Sequence, residues 1–133
     1  MSRKQSREVA FKLLFSLCFD TQIETGLEMA TDEKPDDTEL QYINKLCAAV
    51  KENLAEIDAL IEKNAHGFSL DRIFKIDLTV LRMAVAEILF LKETPAVVAV
   101  NEAVNIAKKY GTDKSGAYVN GILASILREG EAK

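Results

Sequence analysis

The stretch Asp77-Leu-Thr-Val-Leu-Arg-Met-Ala-Val-Ala-Glu-Ile-Leu-Phe-Leu-Lys92 decides the fold. Asp77 suits a helix cap, and the apolar residues behind it predict a helix over Leu78 to Lys92. Leu81, Met83, Ala84, Val85, Ile88, Leu89, Phe90 and Leu91 cover nearly the whole wheel, with Arg82 and Glu87 as the only interior charges. A helix without a polar face has to lie in the middle of a fold, with other elements packed around it.

The flanking segments carry the same period. Val9, Ala10, Leu13, Leu14 and Leu17 form the apolar stripe of a first helix, over about Ser6 to Cys18. Phe11, Phe15 and Phe19 line its opposite flank, so this helix is central or offers one side to a partner. The acidic segment that follows reads as a loop, with a short helix near Leu27 to Ala30. Pro35-Asp-Asp-Thr-Glu39 is a helix start, with proline early and acids in the first turn. Leu40, Ile43, Cys47, Val50, Leu54, Ile57 and Ile61 continue that helix, with a kink near Asn53, where Asn-Leu-Ala-Glu resembles a capping box. Gly67 ends it, and Ser69 to Phe74 reads as a short connecting turn of helix. Pro95 opens the next helix, with Val97, Val100, Ala103, Val104 and Ala107 inward and Gly111 as its stop. Ser115 caps the last, whose inner face is Val119, Ile122, Leu123, Ile126 and Leu127. No stretch alternates like a strand. The expected fold is all-α, a single domain over residues 1–133 with about six to seven helices.

With 133 residues and 48% hydrophobic content, the chain can bury one real core. No uncharged apolar run approaches the roughly 20 residues that cross a bilayer. The opening Met-Ser-Arg-Lys-Gln-Ser-Arg has no apolar signal segment behind it, so the expectation is a cytoplasmic protein without membrane contact. Cys18 and Cys47 are expected as free thiols in a reducing compartment.

A net charge of −4 argues against nucleic acid, but it hides an asymmetry. Arg3, Lys4, Arg7 and Lys12 face only Glu8 at the start, whereas eight acids between Asp20 and Glu39 face only Lys34. Charges further apart than about 8 Å are largely screened, so a local basic patch survives an acidic total.

Chemistry-bearing constellations are scarce. His66 is the one histidine and has no nucleophile or orienting carboxylate near it in sequence, so it reads as a helix-end residue. The cysteines lack metal-site spacing, and no phosphate-cradling glycine loop occurs. The expectation is therefore no catalytic residue, no metal and no cofactor. Two features suit binding instead. Arg3 and Arg7 lie one helical turn apart with Lys4 alongside, at a helix start where cations oppose the macrodipole and a phosphate would compensate them. Tyr118, at the edge of the last helix's apolar face, is placed to stack on an unpaired base, with Lys108, Lys109 and Lys114 preceding it. The bland alternative makes Tyr118 a boundary residue and Gly121 a site of close helix packing.

These blocks together resemble the NusB family of transcription antitermination factors. The resemblance rests on Arg3-Lys-Gln-Ser-Arg-Glu-Val-Ala, on Ile76-Asp-Leu-Thr-Val-Leu-Arg-Met-Ala-Val-Ala-Glu, and on Val100-Asn-Glu-Ala-Val-Asn-Ile-Ala-Lys-Lys-Tyr-Gly after Pro95. Lys114-Ser-Gly-Ala-Tyr-Val-Asn-Gly-Ile-Leu completes it, so the match spans essentially the whole chain. It implies two small packed helical bundles and binding of boxA-type leader RNA of ribosomal RNA operons. It further implies action together with NusE, a small-subunit ribosomal protein, within the RNA polymerase elongation complex. Family positions put Arg3, Lys4, Arg7 and Tyr118 at the RNA and Glu87 at the NusE contact, with a homodimer as a known possibility; Lys114 joins the expected RNA contacts through its charge beside Tyr118. Gln5 and Ser6 weaken the basic tip relative to arginine-rich members, and Lys114 stands where an acid is frequent. Two rival readings are an RNA-binding adaptor domain, of the kind fused to methyltransferases, and a structural homo-oligomer joined through Phe11, Phe15 and Phe19.

Overall fold

A computed structural model describes residues 1–19 and 33–131, with the side chains of Phe19 and Glu131 excepted. Six α-helices are present among them: α1 Arg3–Phe15, α2 Asp37–Glu52, α3 Leu54–Lys63, α4 Lys75–Ala86, α5 Ala96–Tyr110 and α6 Ser115–Glu131. Short 3₁₀ turns at Ser16–Phe19 and Leu70–Arg72 follow α1 and precede α4, and α4 runs on into a π turn, Glu87–Leu91. The described residues contain no strand. The short helix expected near Leu27 to Ala30 lies outside them.

The apolar stretch at 77–92 is the hub. α4 packs against all five other helices, with α1 and α2 paired on it and α5 and α6 paired together as well. This is the arrangement of two small bundles sharing a central helix. Leu14, Ile43, Leu46, Ile57, Ile61, Leu81 and Leu123 are fully buried in one continuous core. Phe11 is buried too, 5.1 Å from the Tyr110 ring and 6.2 Å from Phe15. The second apolar flank of α1 is therefore covered at Phe11 by α5.

Local rules explain where the helices start and where the sequence reading slipped. α1 begins three residues earlier than expected because Ser2 and Gln5 form a capping box, the Ser2 hydroxyl accepting from Gln5 N at 3.1 Å. α2 begins as expected, with Asp36 and Glu39 capping each other at 2.8 Å. Asn53 does break the long helix, but it does not cap α3. Its amide donates back to Ala49 O at 2.8 Å and so closes α2 instead. Asp77 does not cap α4 either: the helix starts at Lys75, which carries Asp77 into its first turn and buries it. Val97, expected inward, is 70% exposed because it sits in the first turn of α5, while Ala99, Val100, Ala103, Ile106 and Ala107 face the core. Ser115 starts α6, but its hydroxyl accepts from Thr112 N at 2.9 Å in the preceding turn.

Candidate nucleic-acid interface

The N-terminal basic cluster divides into two environments. Arg3 and Lys4 are exposed, and the Arg3 guanidinium lies 3.9 Å from the centroid of the Tyr42 ring, a cation–π stack onto α2. Arg7 is buried. Its Nε meets both Glu87 oxygens at 3.1 Å, and its Nη2 donates to Glu87 Oε2 at 2.7 Å. The same Oε2 accepts from the Tyr42 hydroxyl at 3.1 Å and from Thr94 Oγ1 at 2.9 Å. Burial alone would raise the Glu87 pKa, but the Arg7 hydrogen bonds and charge, with Thr94 and Tyr42, hold it below the ordinary carboxylate value. Burial and the neighbouring Glu87 push the Tyr42 phenol well up, so it stays a neutral donor. Arg7 and Glu87, read from the sequence as contacts for two different partners, are thus each other's partner. Neither presents its charge at the surface.

At the other end of α4, Tyr118 is half-buried on the rim of a cavity of about 230 Å³. Phe68, Phe74, Asp77, Arg72 and the exposed Lys114 share that rim, with Phe68 52% and Phe74 47% exposed. Asp77 is buried there, and its Oδ1 has no hydrogen-bond partner. Burial pushes the Asp77 pKa up, opposed only by the Ser115 hydroxyl. Tyr118 shifts up as well, through burial and the nearby Asp77. Asp77 and Glu87 stand about 15 Å apart along the axis at the α-helical rise, so Arg7 and Tyr118 do not touch.

A band of cations joins the two ends. Lys4 and Lys12 are exposed on the outer side of α1, and Glu8 between them accepts from Lys109 at 2.9 and 3.0 Å and from the Tyr110 hydroxyl at 3.3 Å. Lys12 and Lys109 lie 6.0 and 5.3 Å from the Tyr110 ring. Lys108 packs across Gly116, where an added Cβ would meet its Cγ at 2.9 Å, and Lys114 stands just before Ser115, the first residue of α6. Arg3, Lys4, Lys12, Lys108, Lys109 and Lys114 all face solvent. Sequence reasoning missed Tyr42 and Thr94, whose partners are distant in the chain, and it gave no role to Phe68 and Phe74. Two aromatics in a short polar connector were the available signal for that pair. Among the described residues no group of His, Cys, Asp and Glu could hold a metal ion, and no helix is long and apolar enough to cross a membrane.

The chain also resembles known proteins over nearly its whole length. Residues 4–128 match the sequence model of the NusB family. The transcription antitermination protein NusB of Agathobacter rectalis is 46% identical over 128 residues, covering 93% of this chain and 98% of that protein. The structure of T. maritima NusB superposes with a TM-score of 0.88 at 40% identity, over 97% of this chain and 92% of that one. A structure of the antitermination factors NusB and NusE in complex with dsRNA gives a TM-score of 0.84 at 30% identity, over 96% of both chains. Family sequence model, relatives and fold agree along the same residues, and the chain belongs to the NusB family.

Proposed function

We propose that this protein is a transcription antitermination factor that binds boxA-type leader RNA together with NusE and joins the RNA polymerase elongation complex in the cytoplasm. It acts as one domain, by assembly and without catalysis of its own. The observation that carries this reading is the band of exposed cations from Arg3 to Lys114, ending at Tyr118, on a chain that superposes with a NusB bound to NusE and RNA. Phosphates suit the lysines and Arg3, and the Tyr118 ring suits an unpaired base. Because Glu87 is sealed by Arg7, the face better suited to the protein partner is the cavity of Phe68, Phe74 and Asp77. Two exposed aromatic rings beside a carboxylate with an unsatisfied oxygen suit a basic side chain set in an apolar surface. The structural homo-oligomer reading loses support, since Phe11 is buried against Tyr110.

Titration of labelled boxA RNA, with and without NusE, tests the proposal. The expected result is weak binding by the chain alone, tighter binding with NusE, and loss of both with a scrambled RNA. In the same assay Asp77→Asn is expected to reduce the gain from NusE and leave binding by the chain alone unchanged. Binding that ignores both RNA sequence and NusE would sink the reading.

A further inference from the structure

We infer that Glu87 is a positioning residue for RNA binding: through Arg7 it sets the seat of α1, so that Arg3 and Lys4 are presented in one fixed orientation, and Arg7 itself makes no phosphate contact. This rests on the RNA-binding reading above and names residues that act from beneath that surface. The geometry is a four-way junction. Arg7 comes from α1, Tyr42 from α2, Glu87 from the end of α4, and Thr94 from the connection to α5, and all meet at one carboxylate oxygen. Tyr42 serves twice, since its hydroxyl donates to Glu87 while its ring carries Arg3 at 3.9 Å and Arg7 at 5.9 Å. The orientation of that ring, and with it the place of Arg3, therefore follows from Glu87.

The same junction sets the rotation of α1. Drawing Arg7 inward turns the line of Lys4, Glu8 and Lys12, spaced one helical turn apart, toward solvent beside Lys109. The carboxylate is delivered from a π turn that begins at Glu87, where Lys92 N donates to Glu87 O at 3.0 Å. A π turn is uncommon and gathers at functional positions. A buried ion pair is also a poor way to gain stability, because desolvation cancels most of its attraction, whereas its hydrogen-bond geometry is directional. The network fits a device for orientation better than one for stability.

Two variants separate this role from a phosphate contact, using the unaltered chain, NusE and labelled boxA RNA over a range of salt. Glu87→Gln leaves the Arg7 charge buried without its counter-charge, so the guanidinium leaves its seat. Arg7→Met/Glu87→Gln has no charge to expel, and the side-chain amide carbonyl it places at position 87 can still accept from Tyr42 and Thr94. The expected result is that Glu87→Gln binds RNA about tenfold more weakly, the equivalent of one charge-assisted hydrogen bond, although it removes a negative charge. The double variant should recover most of that loss with an unchanged salt slope, although it lacks a cation. If Arg7 is a phosphate ligand the order reverses: the single variant binds as well as the unaltered chain or better, and the double loses affinity and about 0.7 of a unit of slope. That order overturns the inference, and so do two variants that both bind like the unaltered chain. Should Glu87→Gln fail to fold by circular dichroism, Tyr42→Phe, which keeps the ring and loses only the hydroxyl, replaces it. A fall in affinity then supports the role and unchanged affinity overturns it. Failure of the unaltered chain to prefer boxA RNA would instead defeat the RNA-binding reading, and this inference with it.

Discussion

Removing the Arg7 guanidinium strands the Glu87 carboxylate in the interior with only two hydroxyls for company. Arg7→Ala is therefore expected to lower stability by about 3–5 kcal/mol, measured by urea unfolding, because the uncompensated charge costs more than the pair contributes. The pair also sets an acid limit. The folded pKa of Glu87 is depressed below its ordinary 4.5, so its contribution is complete above that value and is lost as the pH falls through the folded pKa. The urea midpoint should then fall on the acid side of that window, and Glu87→Gln should flatten the dependence. Asp77 has the opposite sign, since its raised pKa means that protonation at falling pH relieves a buried charge. Gly121 gives a third test at this scale. It lies inside α6, and an added Cβ would meet nothing within 4 Å, so close helix packing does not explain it. Gly121→Ala should stabilise the protein by about 1 kcal/mol in thermal unfolding. Gly111 is the contrast, because a Cβ there would lie 2.3 Å from Ser115 Oγ and 2.7 Å from Ala107 O.

At the scale of elements, the informative case is α5. Periodicity set Val97, Val100, Ala103, Val104 and Ala107 inward, and the structure keeps Val100, Ala103 and Ala107 there while adding Ala99 and Ile106. The packed face is centred on Ala103, Ile106 and Ala107, and Val97 is left in solvent at the first turn. Val97→Lys should accordingly change the unfolding free energy by no more than about 0.5 kcal/mol. Ile106→Ala, by contrast, should cost about 2–5 kcal/mol through the cavity it leaves. Equal effects in urea melts would show that the helix is set in a different rotation. α1 obeys the same logic with a polar residue in the deciding place, because burial of Arg7 fixes which line of the helix faces out.

For the whole molecule, a pI near 5.1 and net charge of −4 coexist with a solvent-facing band of six cations. The band governs binding because its charges act within a screening length of a docked phosphate, while Glu8 and Glu39 beside it are paired with Lys109 and the N-terminal amine. Affinity for boxA RNA should fall steeply with salt, with a log–log slope of about −3 if four or five phosphates are neutralised. A slope near zero, read from titrations at several salt concentrations, would mean that phosphate contacts contribute little.

By itself the sequence determined the all-helical class, the central place of residues 77–92 and the family, because hydrophobic period and motif blocks are properties of the linear chain. It also placed Arg3, Lys4, Lys114 and Tyr118 at exposed or half-exposed positions. Only the tertiary structure decided what Arg7 and Glu87 do. They are separated by most of the chain, and nothing in the local pattern of either tells whether its charge meets solvent or a counter-charge. The cavity of Phe68, Phe74, Asp77 and Tyr118 was hidden for the same reason, since it exists only where the connector before α4 passes the start of α6. Periodicity reports which face of an element is buried, and side chains that meet across elements acquire their roles only when the elements pack.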